Sequence, residues 1–149
     1  MAFAALICWF ATAFVGLYLV AVWLIENDVS QEGNVASRLP GPVILTHVLL
    51  ALTGFVFWVI HLIFGSPAWG WAALGALGGI ALLGATMFTR WIPVHAAFVA
   101  AESGPAGMSA EFEFPAERAF PVTVVTIHGV LAVSTLILVL LAMLGVGVH

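Results

Sequence analysis

Lysine is absent from this chain, arginine occurs only at Arg38, Arg90 and Arg118, and seven acids bring the formal charge to −4. Such a chain has no basic face for a phosphate backbone, which excludes a nucleic-acid partner. The single cysteine, Cys8, cannot form an internal disulfide, and no cysteine-based metal site can be built around it. Phosphate-binding glycine loops, nucleophile elbows, HExxH and CxxC are all missing, so the motifs of soluble enzymes are excluded as well. Charged residues make up 7% of the 149 positions, against about a quarter in a soluble domain. What fills their place is apolar: 64% hydrophobic residues and a mean hydropathy of +1.22, the composition of a domain that lives in lipid.

The few charges divide the chain. Glu26 is the first, so residues 1–25 form one apolar stretch long enough to cross a bilayer core of about 30 Å. With no basic segment before it and Glu26-Asn27-Asp28 after it, the stretch reads as a mature helix and not as a cleaved signal. No charge falls between Arg38 and Arg90, a distance suited to two spans joined by a tight turn at Gly65-Ser66-Pro67, with Pro40-Gly41-Pro42 opening the first. Beyond Arg90, four acids and several prolines and glycines predict a polar loop over 91–120, with a short surface helix near His95 to Glu102. The expected fold is therefore all-α: one integral membrane domain, a four-helix antiparallel bundle with helices about 2–25, 42–64, 69–90 and 121–146. The glycine-rich run from Gly75 to Gly79 lies inside the third helix and favours close packing.

Four antiparallel spans place both termini on one side, called side A, and every charged residue on the other, side B. The three arginines then make side B cytoplasmic and the termini external. Abundant Ala, Gly and Val with no lysine suggest a bacterial plasma membrane.

Ionisable residues inside membrane spans are costly and mark function. Here they are histidines. His47 and His128 each lie one to two turns into a helix that starts from side B, so they share a depth, and two imidazoles at one depth can clamp a haem iron between them. Gly54, with Ala51, on the face of His47 and Gly129 beside His128 would leave room for a flat ring, while Thr46 and Thr126 would orient the imidazoles. Arg38, Arg90 and Arg118 either pair with haem propionates or anchor helix ends as ordinary flanking residues. His95 either joins His47 and His128 in a three-histidine metal site, completed by water or a carboxylate such as Glu102, or is a surface histidine or a partner for a quinone or propionate. Glu111 and Glu113 read as solvated loop charges.

His61 follows His47 by fourteen residues, a rise of about 21 Å with both side chains near one helix face. This spacing resembles the paired histidines on a helix of the quinol-oxidising membrane cytochromes b, where two such helices hold two haems. That resemblance, confined to one helix, implies His47 and His61 as ligands. It departs at the second helix, where Ala142 stands fourteen residues after His128. A partner for His61 would have to be His149, Met143 or a second copy's histidine; otherwise His61 rests at the side A interface, hydrogen-bonded to a backbone carbonyl or a lipid headgroup.

Three functions compete. One is a small haem-b cytochrome passing electrons to or from a quinone or a partner redox subunit. Another is a cofactor-free accessory subunit of a larger membrane complex, and the third is a histidine-based metal-binding or proton-handling membrane protein. Membrane lipid, a larger complex or a homodimer are the expected partners.

Overall fold

The computed structural model describes residues 1–32, 37–104 and 114–146. Helix α1 spans Ala2–Glu32, α2 Gly41–Phe64, α3 Pro67–Glu102 and α4 Val122–Met143, with a short 3₁₀ turn at Ala116–Ala119 before α4. All four helices are long and apolar enough to cross a membrane, and the expected all-α four-helix bundle is the one observed. Their outer faces fit that setting: Phe3, Ile7, Phe10 and Phe14 line the outside of α1 and are all well exposed.

The helix boundaries depend on more than hydropathy. Proline at the first turns of α2 and α3 costs no hydrogen bond, because those N–H groups have no partner within a helix. Gly65 ends α2 in the left-handed conformation, φ 66°, and its N–H donates to the His61 carbonyl at 2.9 Å. Two expected ends are corrected. Helix α1 runs on past residue 25 to Glu32, and α3 does not stop at residue 90 but continues through Pro93 to Glu102, taking in the short helix expected near His95 to Glu102 and with it the first part of the expected 91–120 loop. Apolarity marks where lipid ends, whereas a helix ends where its residues stop favouring it. The stretch Ala96-Ala97-Phe98-Val99-Ala100-Ala101 is strongly helical, and Pro93 removes only one bond. At 36 residues α3 is about 54 Å long, so its final turns project beyond a bilayer on side B.

The helices stand in a square in chain order, with α1 packed closely on α4 and α2 on α3, looser contacts between these two pairs, and no backbone approach across either diagonal. Trp58 Nε1 donates to the Ala2 carbonyl at 3.4 Å, tying the end of α2 to the start of α1 on side A. On side B the 3₁₀ turn packs on α1 and α3.

The packed core occupies the side A half: Ala5 and Trp9 of α1, Trp58 of α2, Ala73, Leu77 and Ile80 of α3, and Val139 of α4. Gly54 belongs to this packing, since a Cβ there would lie 2.9 Å from the Ala76 Cβ and 3.0 Å from the Trp9 ring. The glycine run of α3 contributes less closeness than expected. Gly79 meets Leu50, whereas Gly75 and Gly78 face open space.

Candidate haem site between opposite helices

His47 on α2 and His128 on α4 meet in the side B half of the bundle. Their ring centroids lie 6.5 Å apart with planes inclined at 55°. The two helices are diagonal neighbours, so the imidazoles reach across a central space that the backbones leave open. Each ring lies against a glycine of the adjoining helix. A Cβ at Gly16 of α1 would stand 2.8 Å from His128 Cε1, and one at Gly84 of α3 would stand 3.4 Å from His47 Cε1. Any larger side chain at Gly16 would displace His128 from its present position.

Hydrogen bonding then sets which nitrogen is available. His128 Nδ1 lies 3.1 Å from the Thr12 carbonyl, which can only accept, so Nδ1 carries the proton and Nε2 keeps its lone pair. This is the second partner that a metal-ligating histidine needs to fix its tautomer and ring orientation. Thr12 is itself held in place: its hydroxyl donates to the Cys8 carbonyl at 2.7 Å and meets the Thr135 hydroxyl at 3.1 Å. His47 Nδ1 is buried beside the Ile80 backbone without completing a hydrogen bond.

The other expected residues are distributed around this centre. Gly54 is filled by Trp9 and Ala76 and leaves no room for a ring, and Gly129 is exposed with nothing near it, so neither glycine makes the expected gap. Gly16 and Gly84 stand in their place. Thr126 bonds its own helix at the Val122 carbonyl and Thr46 is exposed; the Thr12 carbonyl is what orients His128. His95 stacks on Trp91, centroids 5.0 Å apart at 18°, and no group of three His, Cys, Asp or Glu side chains converges among the described residues. Among the described residues, His95 is thus not gathered with His47 and His128 into one metal site.

His61 lies at side A, where its Nδ1 donates to the Ser66 carbonyl at 2.9 Å and its ring packs on Trp58, centroids 5.0 Å apart. The backbone-bonded reading of His61 is the one the structure contains. Met143 is also near, because a Cβ at Gly70 would meet both its sulfur and the His61 ring. His149, Glu111 and Glu113 lie outside the described residues.

At side B, Arg38 and Arg90 border a cavity of about 460 Å³ together with Ser37, Pro40, Thr89 and Pro93. Arg90 Nη1 donates to the Arg38 carbonyl at 3.2 Å, and Arg118 sits half-buried in the 3₁₀ turn. Beside them lies a residue that sequence reasoning passed over. Glu117 is fully buried, and its carboxyl oxygens accept from the Ser37 hydroxyl at 2.8 Å and the Arg38 amide at 2.6 Å. Trp23 Nε1 in turn donates to Ser37 at 3.0 Å, so α1, the α1–α2 link and the 3₁₀ turn are joined by one network. The only hint in the sequence is an acid set within the short Pro115 to Pro121 segment that leads into α4.

No known protein family matches the sequence, and no curated protein or solved structure gives a significant match.

Proposed function

We propose that this protein is a small membrane cytochrome that holds one haem b between His47 and His128 and passes electrons between it and a quinone or a partner redox subunit. The observation that carries the reading is the histidine pair itself, two imidazoles facing each other at 6.5 Å from opposite helices. At this separation both imidazoles would be within reach of one metal ion held between them. The lone pair left on His128 Nε2 by the Thr12 bond would supply one ligand atom, and the two glycines let the imidazoles pack closely against α1 and α3. Bound there, haem would supply a reversible one-electron cycle at iron. The chain would hold and orient the two imidazoles, bury them in the bundle and exclude bulk water, which are the protein's means of setting a potential.

Side B carries Arg38, Arg90 and Arg118, which supports a cytoplasmic side B and external termini in a bacterial plasma membrane. The membrane-facing apolar surface also suits docking to a second copy or to a larger redox complex.

Air-oxidised and dithionite-reduced visible spectra of protein purified in mild detergent, after expression with haem supplied, test the assignment. A sharp reduced α-band with a shifted Soret peak is expected, lost in both His47→Ala and His128→Ala and kept in His95→Ala. A colourless wild type, or single histidine variants with full haem content, would overturn it and leave a cofactor-free accessory subunit as the better reading.

A further inference from the structure

Three buried nitrogen atoms lack a hydrogen-bond partner among the described residues: His47 Nδ1, Trp91 Nε1 and His95 Nδ1. Buried polar atoms in native proteins are nearly always satisfied by protein, water or ligand, so each of these calls for an explanation. The first belongs to the histidine pair. The other two lie on the same strip of α3, because Trp91 and His95 follow Gly84 by seven and eleven residues, two and three turns along one helix face. Gly84 is the residue that faces His47, so the strip leads from the level of the histidine pair toward side B, reaching Trp91 after a rise of about 10 Å.

Trp91 is only 7% exposed, and its ring is stacked on His95. An indole N–H can only donate, so the atom it waits for is an acceptor, and an imidazole beside it supplies a second donor. Two neighbouring donors on one buried strip of α3 suit a carboxylate, whose hydrogen bonds are the stronger charge-assisted kind.

We propose that Trp91 and His95 bind the carboxylate groups of the haem held by His47 and His128. The assignment rests on the function proposed above and differs from the arginine pairing that the sequence suggested. Arg90 is one residue from Trp91 and therefore about 100° away around the helix; it is exposed and already donates to the Arg38 carbonyl.

The test is titration of detergent-solubilised apoprotein with haem b and with its dimethyl ester, followed by the Soret band. Wild type is expected to prefer the free acid by roughly tenfold or more. Trp91→Phe and His95→Gln are expected to retain the six-coordinate spectrum with both compounds while losing most of that preference. The proposal is overturned if both variants keep the wild-type preference, or if the preference disappears only in Arg38→Gln, Arg90→Gln or Arg118→Gln. Failure of wild type to take up either compound would be a different result, removing the histidine clamp along with its carboxylate partners.

Discussion

The two halves of the bundle are built from different materials. The side A half is packed: Trp58 is fully buried, Trp9 is 3% exposed and meets Phe55 edge-on at 6.1 Å, and small residues of α3 let the helices close around them. The side B half holds the paired imidazoles of His47 and His128, two glycines turned toward them and all three of the unsatisfied buried nitrogens. In lipid there is no hydrophobic force between helices, so close van der Waals packing must hold such a bundle together. The side A half supplies that packing and frees the side B half to carry polar groups that pack poorly by themselves. Close packing and buried polar groups thus occupy different depths of the same four helices.

The largest effects separate the halves. Trp58→Ala would open a cavity in a site with no exposure, and aromatic-to-alanine changes in cores cost about 3–5 kcal/mol. It is expected to lower the unfolding midpoint in detergent by far more than His128→Ala does, while the folded fraction keeps its haem spectrum. His128→Ala is expected to show the reverse, losing the spectrum with a small change in apoprotein stability. If Trp58→Ala and His128→Ala lose haem and stability in equal proportion, the division between the halves fails.

The glycines probe the site more finely. Gly16→Ala would place its Cβ 2.8 Å from His128 Cε1, closer than real contacts allow, whereas Gly84→Ala would meet His47 at 3.4 Å, an ordinary contact. Gly16→Ala is therefore expected to weaken haem binding by about tenfold or to give a mixed-spin spectrum, and Gly84→Ala to remain near wild type; titration of the two apoproteins compares them directly. Equal behaviour of the two variants would show that His128 is not held against α1 as described.

How much of this was legible beforehand follows from which physics each feature obeys. The four spans were legible because a bilayer imposes a minimum apolar length on every span and charges mark the limits of the lipid, as Glu26, Arg38 and Arg90 do here. The pairing of His47 with His128 was legible because two helices entering from one side carry residues of equal offset to equal depth. A helix near His95 to Glu102 was legible too, but its continuity with α3 was not, since Pro93 and the charge at Arg90 read as an end. Nor were Gly16, Gly84 and Thr12, because which face of α1 or α3 meets an imidazole depends on helix rotation, which tertiary packing sets. Gly54 shows the same limit in reverse: it lies on the expected face one turn from Ala51, yet Trp9 fills the space beside it.

At the side B rim, Glu117 is expected to matter through what it satisfies. Glu117→Ala would leave the Ser37 hydroxyl and the Arg38 amide without their acceptor, a loss of about 1–3 kcal/mol. Thermal unfolding should record it, and limited proteolysis should cut the 3₁₀ turn and the α1–α2 link sooner than in wild type. Glu117→Gln, which keeps an acceptor oxygen, should recover part of the loss. The effect should leave the side A core untouched, so Trp58→Ala and Glu117→Ala should add without coupling, their sites lying at opposite ends of the bundle.

The smallest effect bears on the seam between α1 and α4, where the two halves join. Thr135 is 1% exposed, and its hydroxyl lies 2.8 Å from the Leu131 carbonyl and 3.1 Å from the Thr12 hydroxyl. Each hydroxyl has one proton, so whichever of the two donates across this gap gives up its own helix's carbonyl, and the pair couples the helices at Thr12, the residue whose carbonyl orients His128. Interhelical hydrogen bonds in membranes average about 0.6 kcal/mol, so Thr135→Val, close in volume, should lower stability by roughly that amount. Its more telling readout is spectroscopic. If Thr12 positions His128 through its backbone alone, the haem spectrum of Thr135→Val should match wild type. A broadened or shifted reduced α-band would instead mean that the seam transmits side A packing into the histidine site, and the two halves would have to be treated as one.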